Sequence, residues 1–335
     1  MSKVVFIPGG FGYIGKHTCI ELLNNGYIVI VADNKPIEQL NSINNNIEKI
    51  TSKKVIIVNT KIDTKEKIRS IFNTFSIDIV IHLAGIKTAM SFYSTPVQSY
   101  KKELTLTMNL LLVMDEFKIK NIIFPSSILV YSSDNSMPLT EISKLNITNP
   151  YARNKIFIEG LLNDLYLSDN EWNIVILRYS NTVGVHNSGL IKGHTPKVPN
   201  NLTSSIMAVL SNKTKEVKVF GDNFNTEDGT AQRDFTHVVD VAKATQRSAN
   251  YIMQDKLDNV CILNISSGKS HSVLEVIKSF EDITNEKISY KIFPARKSDI
   301  PISYSDNSLA KKILNWTPQF DLNDICKDLY KSQSQ

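Results

Sequence analysis

Six short runs of aliphatic and β-branched residues mark the first half of the chain: Val4 to Ile7, Ile28 to Ala32, Val55 to Val58, Ile79 to His82, Ile122 to Phe124 and Val175 to Leu177. Each is continuous rather than alternating, the pattern of a strand covered on both faces. The intervening stretches carry helical spacing. The first helix is expected from about Tyr13 to Leu23, with Ile14, Thr18 and Leu22 on one face and Asn25-Gly26 as its stop. Strand and helix in repetition predict an α/β fold built on a doubly wound parallel sheet. After about residue 180 the alternation gives way to loops rich in Gly, Asn and Pro, as in "NTVGVHNSGLIKGHTPKVPNNL". The expected division is a nucleotide lobe over 1–180 and a smaller α/β substrate lobe over 181–335, with some of its segments returning to the sheet. No internal repeat or long linker separates the two.

With 335 residues, 42% of them hydrophobic, the chain can bury a sizeable core. Its longest apolar runs are far shorter than a membrane span, and Met1 to Ile7 leads into a strand without a signal-peptide layout. A cytoplasmic location with no membrane partner is the expectation. Cys19, Cys261 and Cys326 are widely spaced among apolar neighbours, which predicts buried reduced thiols rather than a disulfide framework or a metal site. The formal charge of +5 comes from lysines spread along the chain and indicates no nucleic-acid partner.

Chemistry enters at "FIPGGFGYIGKHT", where Gly9, Gly12 and Gly15 separate the first strand from the first helix. A helix amino terminus offers unpaired N–H groups to a pyrophosphate, and glycines let the phosphate approach the backbone. Asp33 follows about 20 residues later at the end of the second strand, where a carboxylate accepts from the adenosine ribose hydroxyls and repels a 2′-phosphate. This set favours NAD over NADP. The glycines alone would also suit a tight turn; the strand before, the helix after and the acid downstream are what point to a dinucleotide.

"NPYARNKIFIEGLLNDL" opens a second candidate region, in which Tyr151 and Lys155 are four residues apart and share a helix face. A nearby ammonium and an oxidised nicotinamide would both favour phenolate, lowering the tyrosine pKa toward that of a general base. A tyrosine beside a solvated lysine on a surface helix is the plainer alternative. Upstream, Ser126-Ser127 follow the fifth strand, so Ser127 can present a hydroxyl to the same crevice.

Glycine loop, Asp33, Ser127 and the Tyr151/Lys155 pair, in this order, resemble the extended short-chain dehydrogenase/reductase family, and within it the UDP-glucose 4-epimerases. "GGFGYIGKHT", "VADN", "IDIVIHLAGIKTA", "LRYSNTVGVH", "VPNNL", "VFGDNFNTEDGTAQRDFTHVVDVA" and "SDIP" are all similar to segments of that family. The resemblance implies a Rossmann-like NAD-binding lobe and an epimerase that interconverts UDP-glucose and UDP-galactose. In that chemistry Tyr151 takes the proton of the sugar 4′-hydroxyl while the C4 hydride passes to tightly bound NAD, and the 4-keto sugar turns over before taking the hydride back. The same resemblance assigns Tyr151, Lys155 and Ser127 to catalysis. It assigns Gly9, Gly12, Tyr13, Ile14, Gly15, Asp33, Asn34, Ile62, Leu83, Ala84, Gly85, Lys87, Lys155 and Tyr179 to the cofactor. Ser127, Tyr151, Asn181, Asn201, Leu202, Phe220, Arg233, Arg296, Asp299 and Ser303 fall to the UDP-sugar. Arginine forks from separate segments suit a diphosphate. Ser303 stands where bulk screens the sugar C2 substituent, and its small side chain would leave room for an N-acetyl group. Family members commonly form homodimers through two helices, here Pro96 to Lys118 and Ala152 to Leu167; Leu106, Leu110 and Met114 could serve that contact or pack on the sheet.

Several positions depart from the family. Pro8 replaces a threonine, Lys61 an aspartate that accepts from the adenine amine, and Lys102 an asparagine at the cofactor. Pro125 replaces a serine, Leu129 a threonine near the sugar, and Ser180 an aromatic residue, and "IKGHTPK" lacks acidic residues usual in that loop. The glycine loop is therefore expected to be slightly displaced, and the alternative to an enzyme is a non-catalytic relative that senses a nucleotide sugar or serves as an interaction partner.

Overall fold

A computed structural model describes all residues except 1, 86–88, 148, 192, 194–198, 200, 255, 297–298 and 334–335, and the side chains of 89–91. From the amino end the elements are β1 (Val4–Pro8), α1 (Tyr13–Asn24), β2 (Ile28–Asp33), α2 (Ile37–Thr51), β3 (Ile56–Asn59), α3 (Lys65–Thr74) and β4 (Ile79–Ile81). Then come α4 (Ala89–Ser94), α5 (Pro96–Glu116), β5 (Asn121–Ser127), α6 (Pro150–Ser168), β6 (Asn173–Tyr179) and β7 (Asn181–Val183). The second half adds α7 (Leu202–Leu210), β8 (Val217–Phe220), β9 (Gln232–Arg233), β10 (Phe235–His237), α8 (Val238–Ile252), β11 (Cys261–Ile265) and β12 (His271–Ser272). It closes with α9 (Val273–Thr284), β13 (Tyr290–Phe293), β14 (Ile302–Ser303), α10 (Ser308–Leu314) and α11 (Leu322–Lys331).

All six expected strands form, and together with β11 they make a seven-stranded sheet in the order β11-β6-β5-β4-β1-β2-β3. Every neighbouring pair in it is parallel. The runs are continuous because both faces are buried: Val5, Ile7, Val29 and Val31 face the core under α1, α2 and α8, while Phe6, Ile30, Val80 and Phe124 face the core under α3, α5 and α6. The order reverses between β1 and β4, which opens a crevice at their carboxyl ends. Pro8 ends β1 in register with Ala32, and the Gly9 N–H donates to the Ala32 carbonyl at 2.8 Å. The strand keeps its pairing through the proline.

β11 went unrecognised in the sequence because a polar residue interrupts it. Asn264 is fully buried there, accepting from the Tyr131 hydroxyl at 2.7 Å and donating to the Leu139 carbonyl at 3.1 Å. Helix α8, also from the second half, packs on α1 through Val241 and Ala244. α10 joins the same core through Ala310 and Leu314, while α7, β8, α9 and α11 enclose a separate cluster around Ile206, Val217, Phe280 and Ile325.

A buried polar network fixes α6 to the sheet. The Arg178 guanidinium donates to the Glu159 carboxylate at 2.7 and 3.2 Å, to the Tyr131 hydroxyl at 3.0 Å and to the Glu141 carbonyl at 3.1 Å. Ser126 Oγ donates to the same Glu159. Removing one member of such a buried pair typically costs about 3–5 kcal/mol, since the other charge is left desolvated. The three cysteines are buried and free, and among the described residues no helix is long and apolar enough to cross a membrane and no cluster of metal-ligating side chains is found.

Candidate active site

The glycine loop follows β1 directly and leads into α1. Gly9 has φ +71°, and a Cβ there would stand 2.8 Å from Ala84 Cα, so a left-handed backbone and a close approach both require glycine. Gly15 sits on the first turn of α1, where a Cβ would come within 2.3 Å of the Gly10 carbonyl oxygen. Gly12 is the N-cap and brings no side chain to the helix end. The first-turn N–H groups of Tyr13, Ile14 and Gly15 have no partner within the helix, as at any helix start. A cavity of about 490 Å³ lies beside this loop, lined by Gly9, Asp33, Asn34, Ile62, Leu83, Ala84 and Gly85 among others. It is of the size small-molecule sites take and sits where the strand order reverses. The cradle fits a dinucleotide: Gly12 leaves the start of α1 without a side chain, and Asp33 is buried in the cavity wall beyond Gly9.

Two residues expected at the cofactor commit their side chains elsewhere. The Tyr13 hydroxyl donates to the Gly184 carbonyl, which leaves its backbone to face the loop. The Tyr179 hydroxyl pairs with Thr245 Oγ1 at 2.7 Å, inside the core formed with α8. Lys87 lies outside the described residues, as does most of "IKGHTPK".

Ser127, Tyr151 and Lys155 gather at the carboxyl edge of β5. Ser127 ends that strand, and its Oγ accepts the Leu129 N–H at 3.2 Å. Asn149 caps α6 by accepting the Ala152 N–H at 2.8 Å, which places Tyr151 and Lys155 on its first turns. Lys155 Nζ donates to the Pro125 carbonyl at 3.1 Å and stands 4.6 Å from the centre of the Phe124 ring. Pro125 thus loses a hydroxyl relative to the family yet still anchors the lysine through its backbone. The Tyr151 ring meets Phe92 edge-on, with centroids 6.0 Å apart.

The electrostatics differ from the sequence expectation. Burial pushes the Tyr151 phenol well above its ordinary pKa, and the charge of Glu103 adds to the rise. Lys155 stands 5.8 Å from the Tyr151 ring centre, and its own pKa is lowered by burial, with Glu103 and Glu159 opposing the fall. The lysine does not by itself offset desolvation, so in the protein alone the phenol holds its proton. Glu103 is a site residue that sequence reasoning missed. It is 3% exposed on α5, its Oε1 lies 3.9 Å from Lys155 Nζ, and its carboxylate crowds Gly85, where a Cβ would approach within 2.4 Å. The available signal was an acid on a core stripe: Glu103 precedes Leu106 and Leu110 at helical spacing, all three buried.

In the second half of the chain, three separate segments converge. The Arg296 guanidinium stacks on Phe220 at 3.9 Å from the ring centre. Arg233, on β9, donates to the Gln232 and Ile300 carbonyls at 2.8 Å each, and stands 4.0 Å from Asp299. Burial lowers the Arg233 pKa, Asp299 resists that and the nearby Arg296 charge adds to it. Two guanidiniums held this near one another gain when an anion joins them. Ser303 is buried on β14, directly opposite Arg233 in register. Asn201 caps α7, Leu202 is its first residue, and Asn181 is exposed at the start of β7. Of the departing positions, Lys61 and Lys102 line the cofactor cavity, Leu129 is exposed, and Ser180 is buried with its Oγ 2.6 Å from Thr236 Oγ1.

Glu103→Gln removes the negative charge beside Tyr151 with little change of shape. The phenol, whose pKa is raised by burial and further by that anion, then ionises at lower pH. Ultraviolet difference titration of wild type, Glu103→Gln and Glu103→Gln/Tyr151→Phe isolates the Tyr151 signal; an unshifted midpoint refutes the assignment.

Comparison with known proteins agrees with this geometry. Residues 5–260 match the NAD dependent epimerase/dehydratase family. The UDP-glucose 4-epimerase of Dictyostelium discoideum is 39% identical over 331 residues, covering 98% of this chain and 95% of that protein. The solved UDP-glucose 4-epimerase from Stenotrophomonas maltophila, with bound NAD and formylated UDP-arabinopyranose, superposes with a TM-score of 0.94 at 33% identity, covering 99% of this chain and 98% of that one. The enzyme from Bifidobacterium longum, in complex with NAD+ and UDP, gives a TM-score of 0.91 at 38% identity, with 99% and 98% covered. A parallel sheet reversing at a glycine cradle, a tyrosine and lysine at its carboxyl edge and this full-length similarity place the chain in the NAD dependent epimerase/dehydratase family, among the UDP-glucose 4-epimerases.

Proposed function

We propose that this enzyme interconverts UDP-glucose and UDP-galactose, with Tyr151 as the acid and base at the sugar 4′-hydroxyl. The observation that carries this reading is Lys155, one turn from Tyr151 on α6, bonded to the Pro125 carbonyl two residues before Ser127 at the carboxyl end of β5, the strand next to β4. NAD, when bound, supplies the reversible acceptor for the hydrogen at sugar C4 and a positive charge near the phenol. Gly9, the first turn of α1, Asp33, Asn34, Ile62, Leu83, Ala84, Gly85 and Lys155 would hold it. Asp63 lines the same cavity as Lys61 and offers an acceptor for the adenine amine two residues from the expected position. Ser127 steadies the sugar oxygen, Tyr151 takes and returns its proton, and the 4-keto sugar turns over between them. Arg233 and Arg296 grip the diphosphate, Phe220 and Leu202 pack against the uridine, and Asn181 and Asn201 contribute polar contacts. Full-length similarity to UDP-glucose 4-epimerases, including ones solved with NAD, favours this reading over the non-catalytic alternative.

Denaturing the purified protein should release NAD in stoichiometric amount. Tyr151→Phe should retain UDP-sugar binding and lose about 10²–10⁴ of kcat, the range general acid–base catalysis contributes. Absence of nucleotide, or turnover no faster than that of the variant, argues for the non-catalytic alternative. The small, buried Ser303 supports acceptance of UDP-N-acetylglucosamine as well. Parallel turnover assays on the two sugars test this, and complete rejection of the acetylated one removes it.

Self-association through α5 and α6 is part of the same proposal. Leu106, Leu110 and Met114 are used inward against the sheet, so the contact would fall to other residues. Met108 and Leu112, one turn apart on α5, and Phe157 on α6 are exposed apolar side chains suited to it. Met108→Asp/Leu112→Lys should convert a dimer to a monomer in light scattering after size exclusion; a wild-type monomer refutes the assignment.

A further inference from the structure

The sequence expectation that Asp33 turns away a 2′-phosphate treats the carboxylate as the sole charge at the ribose. In the structure it has a partner. Lys35 Nζ lies 3.0 Å from Asp33 Oδ1 and 2.9 Å from Oδ2, and the Lys35 backbone N–H donates to Oδ1 at 3.2 Å. The ammonium covers the outward side of the carboxylate, since the Lys35 side chain is 29% exposed and that of Asp33 only 5%. Lys61 lines the same end of the cavity beside Thr60 and Asp63. Asp63 is shared between Lys61 at 3.0 Å and Lys67 at 2.7 Å, so its charge too is met by ammonium groups. Around the whole cavity four lysines, Lys35, Lys61, Lys101 and Lys102, stand against two aspartates.

A carboxylate has room for about four hydrogen bonds. Asp33 can keep Lys35 and still accept from a ribose hydroxyl, while a phosphate on the neighbouring hydroxyl meets an ammonium within reach rather than a bare anion. We propose that the adenosine end of this cavity admits a 2′-phosphorylated dinucleotide, NADP, alongside NAD, with Lys35 and Lys61 facing the added phosphate and Asp33 retaining the 3′-hydroxyl. The proposal rests on the assignment of this cavity to a dinucleotide.

The test is titration calorimetry of the full chain stripped of nucleotide, with NAD and NADP measured separately at low and at high salt. NADP should bind within about tenfold of NAD at low salt, and its relative affinity should fall as salt screens the added phosphate. Lys35→Ala should weaken NADP at least about tenfold more than NAD. Circular dichroism of the variant checks that the fold is retained, and Lys61→Ala provides a second reading at a position farther from Asp33. NADP binding more than about tenfold weaker than NAD at low salt overturns the proposal. So does a Lys35→Ala variant that loosens both nucleotides equally or tightens NAD alone. If neither nucleotide binds the wild type, the dinucleotide assignment itself fails, a distinct outcome from selective rejection of NADP.

Discussion

At the carboxyl ends of β1 and β4 the backbone of Gly9 lies against that of Ala84 so closely that no side chain fits between them. This approach fixes where the two halves of the sheet diverge and therefore where a crevice can open. β1 leads into α1 through that turn, so the same glycine aims a helix amino terminus at the crevice, while β2 delivers Asp33 to its far end. Ser127 and the Tyr151/Lys155 pair sit on β5 and α6, one strand beyond β4, within the same row of carboxyl ends. A bulkier residue at Gly9 would separate the strands that make the site and alter every later placement.

Around Tyr151 the structure sets burial against charge. Desolvation keeps the phenol neutral, Glu103 reinforces that, and Lys155 is occupied with the Pro125 carbonyl and with Glu103. A positive charge arriving in the crevice would act on the phenol through a low-dielectric path. The phenol is thus held neutral by its surroundings, and in the proposed reaction an oxidised cofactor would tip the balance. Glu159 and Arg178 hold α6 to the sheet beneath this arrangement, so the groups keep their spacing whichever way the proton lies.

The departures from the family pattern take on a common character once located. Lys61 and Lys102 line the nucleotide cavity rather than lying on a remote surface, and Lys35 joins them at Asp33. Ser180 is satisfied by Thr236, and the carbonyl of Pro125 does the anchoring. The changes therefore make the nucleotide cavity more basic without dismantling it.

The sequence by itself determined the sheet, the glycine cradle and the order in which the chemical groups appear. Continuous apolar runs are the signature of strands covered on both faces, and a three-glycine stride between a strand and a helix, with an acid downstream, points to a dinucleotide. It also carried the family resemblance through "GGFGYIGKHT" and the Tyr151/Lys155 spacing. Only the tertiary structure decided that β11 joins the sheet, because Asn264 looks unlike a core residue until Tyr131 and Leu139 supply its partners. Tyr13 and Tyr179 turn to carbonyl and hydroxyl partners far along the chain, which no local pattern encodes. The pairing of Lys35 with Asp33 and the approach of Glu103 to Lys155 were likewise invisible, since the strength of a charge depends on what surrounds it and how much water remains, and both are properties of the folded chain.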